Sequence, residues 1–176
     1  MIILGIDPGT TRLGYAVLDI SYLKTKKIYH LKIKGYGCFE PDDKEQPIRL
    51  KKIYKFLRAT IKNYHPEYLS LENIFFFKNA KTVIRISEAR GVIILAAAEN
   101  NLPILELTPI EVKQLLTGYG RADKKEVRKT ICNILDLKHL PKLDDTSDAM
   151  AIAFTSFNKL KKINFTLDKF SCKIEK

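Results

Sequence analysis

The chain has 176 residues, with 31 Lys and Arg against 20 Asp and Glu for a formal charge of +11. That length buries a full core without cross-links, which excludes the small stapled folds. The cationic excess points to a polyanionic partner, nucleic acid first, without separating DNA from RNA.

In chain order, Ile2 to Ile6 is a short apolar run closed by the turn Asp7-Pro8-Gly9, and Gly14 to Leu18 is a second run, so the chain opens as a hairpin. Lys27 to Phe39 alternates loosely and predicts a third strand. Pro47 then opens a helix in which Ile48, Ile53, Tyr54, Leu57 and Ile61 form an apolar face and Lys51, Lys52, Lys55, Arg58 and Lys62 lie mostly elsewhere. Tyr68 to Leu71 is a compact buried strand with Glu72 at its exit, Ala80 to Asn100 a long helix, and Ile104 to Leu107 another strand. Helices are predicted over Pro109 to Leu116, Lys124 to Leu135 and Thr146 to Leu160. Three early strands followed by alternating helix and strand give an α/β fold with a mixed sheet, placed as one domain over residues 1–160. Beyond Lys161 periodicity fades and lysines accumulate, which reads as a basic C-terminal tail.

Cys38, Cys132 and Cys172 are odd in number and widely spaced, unlike a disulfide framework or a zinc site, and fit a reducing cytosol. No apolar run approaches the roughly 20 residues that span a bilayer, so a soluble cytoplasmic protein with no membrane partner is expected.

Four acids stand out at element ends: Asp7, Glu72, Asp145 and Asp148. Taken singly, Asp7 can cap its Pro-Gly turn, Glu72 can be a solvated strand end, and Asp144 or Asp145 can cap a helix with Asp148 opposing the macrodipole. Taken together, two strand ends and a helix start can converge on one sheet edge, with Asp145 and Asp148 on one helical face. Oxygen donors without neighbouring His or Cys suit Mg²⁺, with Mn²⁺ as a substitute, and two ions could activate water and stabilise a departing 3′ oxygen.

Four ordered blocks carry a resemblance. Gly5 to Val17 (Gly-Ile-Asp-Pro-Gly-Thr-Thr-Arg-Leu-Gly-Tyr-Ala-Val), Leu71 to Ala80 (Leu-Glu-Asn-Ile-Phe-Phe-Phe-Lys-Asn-Ala), Glu88 to Val92 (Glu-Ala-Arg-Gly-Val) and Asp145 to Ala153 (Asp-Thr-Ser-Asp-Ala-Met-Ala-Ile-Ala) resemble the RuvC family of Holliday-junction resolvases. The resemblance implies an RNase H-like fold whose sheet opens as an antiparallel meander with flanking helices. It implies a homodimer that makes paired symmetrical nicks in four-way junction DNA with divalent metal, alongside a branch-migration complex. Asp7, Glu72, Asp145 and Asp148 then occupy the positions of the catalytic, metal-binding acids. Lys113 and Lys124 match basic residues near the DNA, with Lys125 an alternative to Lys124, and Phe75 matches an aromatic that stacks at the crossover. The helix from about Lys81 contributes to dimer packing in related resolvases.

Three other readings compete. The opening block also resembles the phosphate loop of sugar kinases and Hsp70-like ATPases, which need a second nucleotide-binding half that 176 residues do not supply. A pre-ribosomal-RNA-processing nuclease shares the early Asp-x-Gly pattern, and a non-catalytic DNA-binding module fits the charge but gives no reason for four placed acids.

Overall fold

The computed structural model describes residues 1–9, 11–26, 28–73, 80–137, 143–161 and 170–172. The elements are β1 (Ile2–Pro8), β2 (Leu13–Leu23), β3 (Ile28–Phe39), α1 (Gln46–Tyr64), β4 (Tyr68–Glu72), α2 (Ala80–Glu99), β5 (Ile104–Leu107), α3 (Pro109–Thr117), α4 (Lys124–Ile134), α5 (Asp144–Lys161) and β6 (Phe170–Cys172). They build one six-stranded sheet in the order β5-β4-β1-β2-β3-β6. β1, β2 and β3 form the expected antiparallel meander, while β4 pairs parallel to β1, β5 to β4 and β6 to β3.

β1 is apolar along both faces because it is covered on both. Ile3 belongs to a core shared with α3, α4 and α5, whereas Leu4 and Ile6 belong to a second core under α1 and α2. Alternate side chains of one strand thus feed two layers. The helix α5 lies closest to the sheet, and two glycines permit it. A Cβ on Gly5 would stand 2.3 Å from the Ala149 carbonyl oxygen, and one on Gly14 would stand 2.0 Å from that of Asp145. Every residue of α5 from Ala149 to Asn158 is buried, so its small residues reflect close packing and not weak hydrophobicity.

Apart from shifts of one or two residues at other element ends, three features differ from expectation. β2 runs on to Leu23 because it pairs with β3 as a long hairpin. α5 starts at Asp144 instead of Thr146, which puts both Asp144 and Asp145 in its first turn. Within the segment read as a basic tail, Phe170–Cys172 adds an edge strand beside Tyr29–Leu31, a pairing too short for periodicity to reveal.

Candidate active site

Register brings the first two acids together. Ile6 of β1 aligns with Leu71 of β4 in a parallel pair, so Asp7 and Glu72 stand one step further along neighbouring strands. The carboxyl ends of parallel strands are where open α/β sheets place ligands. The first turn of α5 arrives at the same end, held against Gly14, which is itself the partner of Asp7 across the hairpin.

The four carboxylates share one electrostatic field. Burial, followed by the negative charges of Asp148, Glu72 and Asp145, raises the Asp7 pKa from 3.8 to about 8. Glu72 rises from 4.5 to about 7, first through burial and then through Asp148, with Lys124 and Lys113 opposing. Asp148 is also raised, mainly by burial, although the Lys124 ammonium pulls the other way. Asp145 faces the hairpin more than the cleft, and the Cys38 thiol donates to its Oδ2 at 3.9 Å.

Lys124, at the start of α4, puts its Nζ 3.0 Å from Asp148 Oδ2 and 3.8 Å from Asp144 Oδ2. Partial burial disfavours this ammonium, but the Asp148 hydrogen bond and charge, with Asp144 and Asp7, outweigh that and raise its pKa. Of the two adjacent lysines, both exposed, it is Lys124 that reaches the acids. Glu72, Lys113, Lys124 and Asp148 line a cleft of about 220 Å³, walled on its apolar side by Pro109, Val112, Val127, Ala151 and Ile152. Phe75 lies outside the described residues.

Among the described residues no group of three or more His, Cys, Asp or Glu stands ready to hold an ion. The donor chemistry nonetheless fits a hard divalent cation: the acids are all oxygen donors, Asp7, Glu72 and Asp148 are raised by burial and then by neighbouring carboxylates, and a lysine ammonium already lies against Asp148.

A model of the family "Crossover junction endodeoxyribonuclease RuvC" matches residues 3–156. The chain belongs to the RuvC family. A RuvC of Desulforamulus reducens is 42% identical over 154 residues, covering 87% of this chain and 91% of the relative. The solved structure of Thermus thermophilus RuvC superposes with a TM-score of 0.82 at 29% identity, over 92% of this chain and 97% of that one. T. thermophilus RuvC in complex with a Holliday junction substrate gives 0.79 at 26% identity, over 92% and 96%. Membership makes this chain an endodeoxyribonuclease with the RNase H-like fold, and no helix among its described residues is long and apolar enough to cross a membrane.

Three residues outside the expected set hold the surroundings of these acids. Arg128 donates to Asp144 Oδ1 at 2.6 Å, so Asp144 faces α4 as an ion-pair partner, where sequence reading made it a helix cap. Arg128 lies four residues after Lys124, one helical turn on, and that spacing was the available signal. Arg90 donates to Asn73 Oδ1 at 3.2 Å and Glu106 Oε1 at 2.6 Å, tying the residue after Glu72 to α2. Cys38 had no sequence signal, because its meeting with Asp145 spans 107 positions.

Proposed function

We propose that Asp7, Glu72, Asp145 and Asp148 form a divalent-metal centre with which this chain nicks four-way DNA junctions symmetrically in recombination and repair. The observation carrying this reading is the gathering of Asp7, Glu72 and Asp148 at one sheet end, each raised first by burial and then by neighbouring carboxylates, with two lysines at its edge. Like charges are not gathered under burial unless a cation compensates them. Mg²⁺, or Mn²⁺ in its place, with two ions per site, would supply the activated water and neutralise the departing 3′ oxygen. Asp7 and Glu72 would hold metal from the strand ends, with Asp145 and Asp148 completing the set from α5. Lys113 and Lys124 would clamp the flanking phosphates, and Phe75 would stack at the crossover.

A homodimer is part of the reading, because a four-way junction offers two symmetry-related strands. Its support is the outer face of α2, where Ile84, Ile94 and Leu95 are exposed and the space beyond Gly91 is open. A branch-migration complex is the further partner implied by family, and the cytoplasm the place of action. The direct test is a synthetic four-way junction incubated with Mg²⁺, Mn²⁺ or chelator, with nicks mapped on every strand. Paired nicks at symmetrical positions, lost with chelator, are expected; uncut junctions under all conditions would sink the reading.

A further inference from the structure

The loop after α3 is held more firmly than a surface connection requires. Gly118 caps the helix in the left-handed conformation, at φ 79°, and its N–H donates to the Gln114 carbonyl. The Gln114 side chain then spans the loop: its Nε2 donates to the Gly118 carbonyl at 2.9 Å, and its Oε1 accepts from the Gly120 N–H at 2.9 Å. Thr117 Oγ1 accepts from the Tyr119 N–H at 3.1 Å, and its proton faces the carbonyls of Lys113 and Tyr119. The Ala122 N–H closes the turn onto the Tyr119 carbonyl at 3.0 Å. Two side chains therefore satisfy the backbone on both sides of Tyr119.

What this bracing holds is apolar and faces solvent. The Tyr119 residue is 57% exposed and Ile110 is 68% exposed, the largest exposures among the described large hydrophobics apart from Ile84. Gly120, the residue after Tyr119, packs against Ile110: a Cβ there would come within 3.1 Å of Ile110 Cγ2. Ile110 follows Pro109 and precedes Val112 and Lys113, all three in the wall of the catalytic cleft, and exposed Arg121 follows the loop. An ordered, exposed aromatic with an exposed arginine two positions on suits a polyanion with flat faces. Ordering it ahead of binding lowers the entropy lost on contact.

We propose that Tyr119 and Ile110 form a platform on which the DNA strand leaving the cleft rests a base or deoxyribose face. The inference rests on the nuclease reading above. The platform adjoins the cleft through α3, with Arg121 two positions after Tyr119 and Lys113 three positions after Ile110, so the occupant is the scissile strand, and the ring sets how that strand enters the site.

The test compares Tyr119→Ala, Tyr119→Phe and Ile110→Ser with wild type on a four-way junction, reading affinity in Ca²⁺, nicking in Mg²⁺ and thermal melting. Tyr119→Ala is expected to weaken junction binding about 10-fold, as loss of one stacked base would. Its salt slope should be unchanged, because no phosphate contact is removed. Tyr119→Phe should bind as wild type, Ile110→Ser should lose about 3-fold, and all three should melt with wild type because the side chains stand in solvent. Wild-type affinity in Tyr119→Ala overturns the platform. So does an equal loss in Tyr119→Phe, which would credit the hydroxyl, or a lowered melting temperature accompanying the loss. Asp7→Asn run in parallel separates the two readings: if it nicks normally the nuclease centre fails, whereas its inactivity beside normal binding by Tyr119→Ala removes the platform alone.

Discussion

Two clefts among the described residues contrast, and the larger carries less chemistry. The first, about 460 Å³, lies among Arg58, Ala59, Ile61, Lys62, His65, Pro66, Asn100 and Leu102, where α1 and α2 end. The second, about 220 Å³, has Glu72, Asp148, Lys113 and Lys124 on its walls. The larger contains no carboxylate, so its cations have no buried opposite charge to answer. In the smaller, burial raises both acids, Asp148 raises Glu72 further and the lysines oppose the rise, a pattern that costs folding energy and is maintained where charge is needed.

The strongest way to break that contrast is to remove a single acid. Asp7→Asn keeps the shape of the side chain and removes the charge that feels all three other acids. Nicking of a four-way junction should fall by at least about 10³-fold, since metal-assisted charge stabilisation is worth several kcal/mol. Junction affinity measured in Ca²⁺ should stay within about 3-fold, because it rests mainly on cationic phosphate contacts. Nicking at the wild-type rate would detach Asp7 from the reaction.

Next in size is Gly14→Ala, which acts on the same cleft through packing. The new Cβ meets the Asp145 carbonyl oxygen at 2.0 Å, a backbone atom that yields only if α5 moves. A loss of about 3 kcal/mol, or roughly 10 °C in melting temperature, is expected by calorimetry, along with a nicking defect in the surviving folded protein. Melting unchanged from wild type would mean that α5 tolerates displacement and that its close approach does not set the acid geometry.

The legibility of these features in the sequence follows their range. α3 and α4 begin where their caps are, Thr108 in a capping box with Glu111 and Asp123 bonded to the Glu126 N–H, and such signals span three residues. The apolar run of β1 announced a buried strand because both its faces are covered. Glu72 beside Asp7, by contrast, depends on a parallel register across 65 positions, which no local pattern encodes, and it was the ordered family blocks that brought the acids together. Arg90 and Asp144 needed the packing of α2 on β5 and α4 on α5 before their partners existed. β6, only three residues long, offers too little periodicity to detect.

A subtler contrast is pH. Asp7 and Glu72 have folded pKa values of about 8 and about 7, above their ordinary 3.8 and 4.5. The unfolded chain releases these protons first, so their contribution to stability is complete below about pH 4 and is lost as pH rises through the folded values. Metal-free protein should therefore melt progressively lower from about pH 5 to about pH 9, and Mg²⁺ should restore much of the loss at the alkaline end. Nicking at sub-saturating Mg²⁺ should rise over the same window as protons cease to compete. Asp7→Asn should flatten the stability profile; an equally steep profile in that variant would place the titration elsewhere.

Lys113 offers a smaller and more selective test. It lines the smaller cleft and lowers the Glu72 pKa, so under the proposed function its charge would face both acid and incoming phosphate. Lys113→Ala should reduce the slope of log affinity against log salt by about 1 and weaken binding alike for all junction sequences. An unchanged slope would leave Lys113 as a neighbour of Glu72 with no hold on DNA.

The smallest expected effect belongs to the larger cleft, and it tests the comparison from the other side. Lys62 lies on its wall in the last turn of α1, where a cation also complements the helix dipole. Lys62→Ala removes an exposed charge with no carboxylate in that cleft to leave unpaired, so stability should change by no more than about 0.5 kcal/mol. Nicking should stay within about 2-fold of wild type, and the pH profile should be superimposable, because the raised acids lie at the other end of the parallel strands. A loss of nicking with junction affinity intact would mean that the two ends of the sheet are coupled. The large cleft would then govern the reaction through the strands between them, and its lack of acids would no longer mark it as inert.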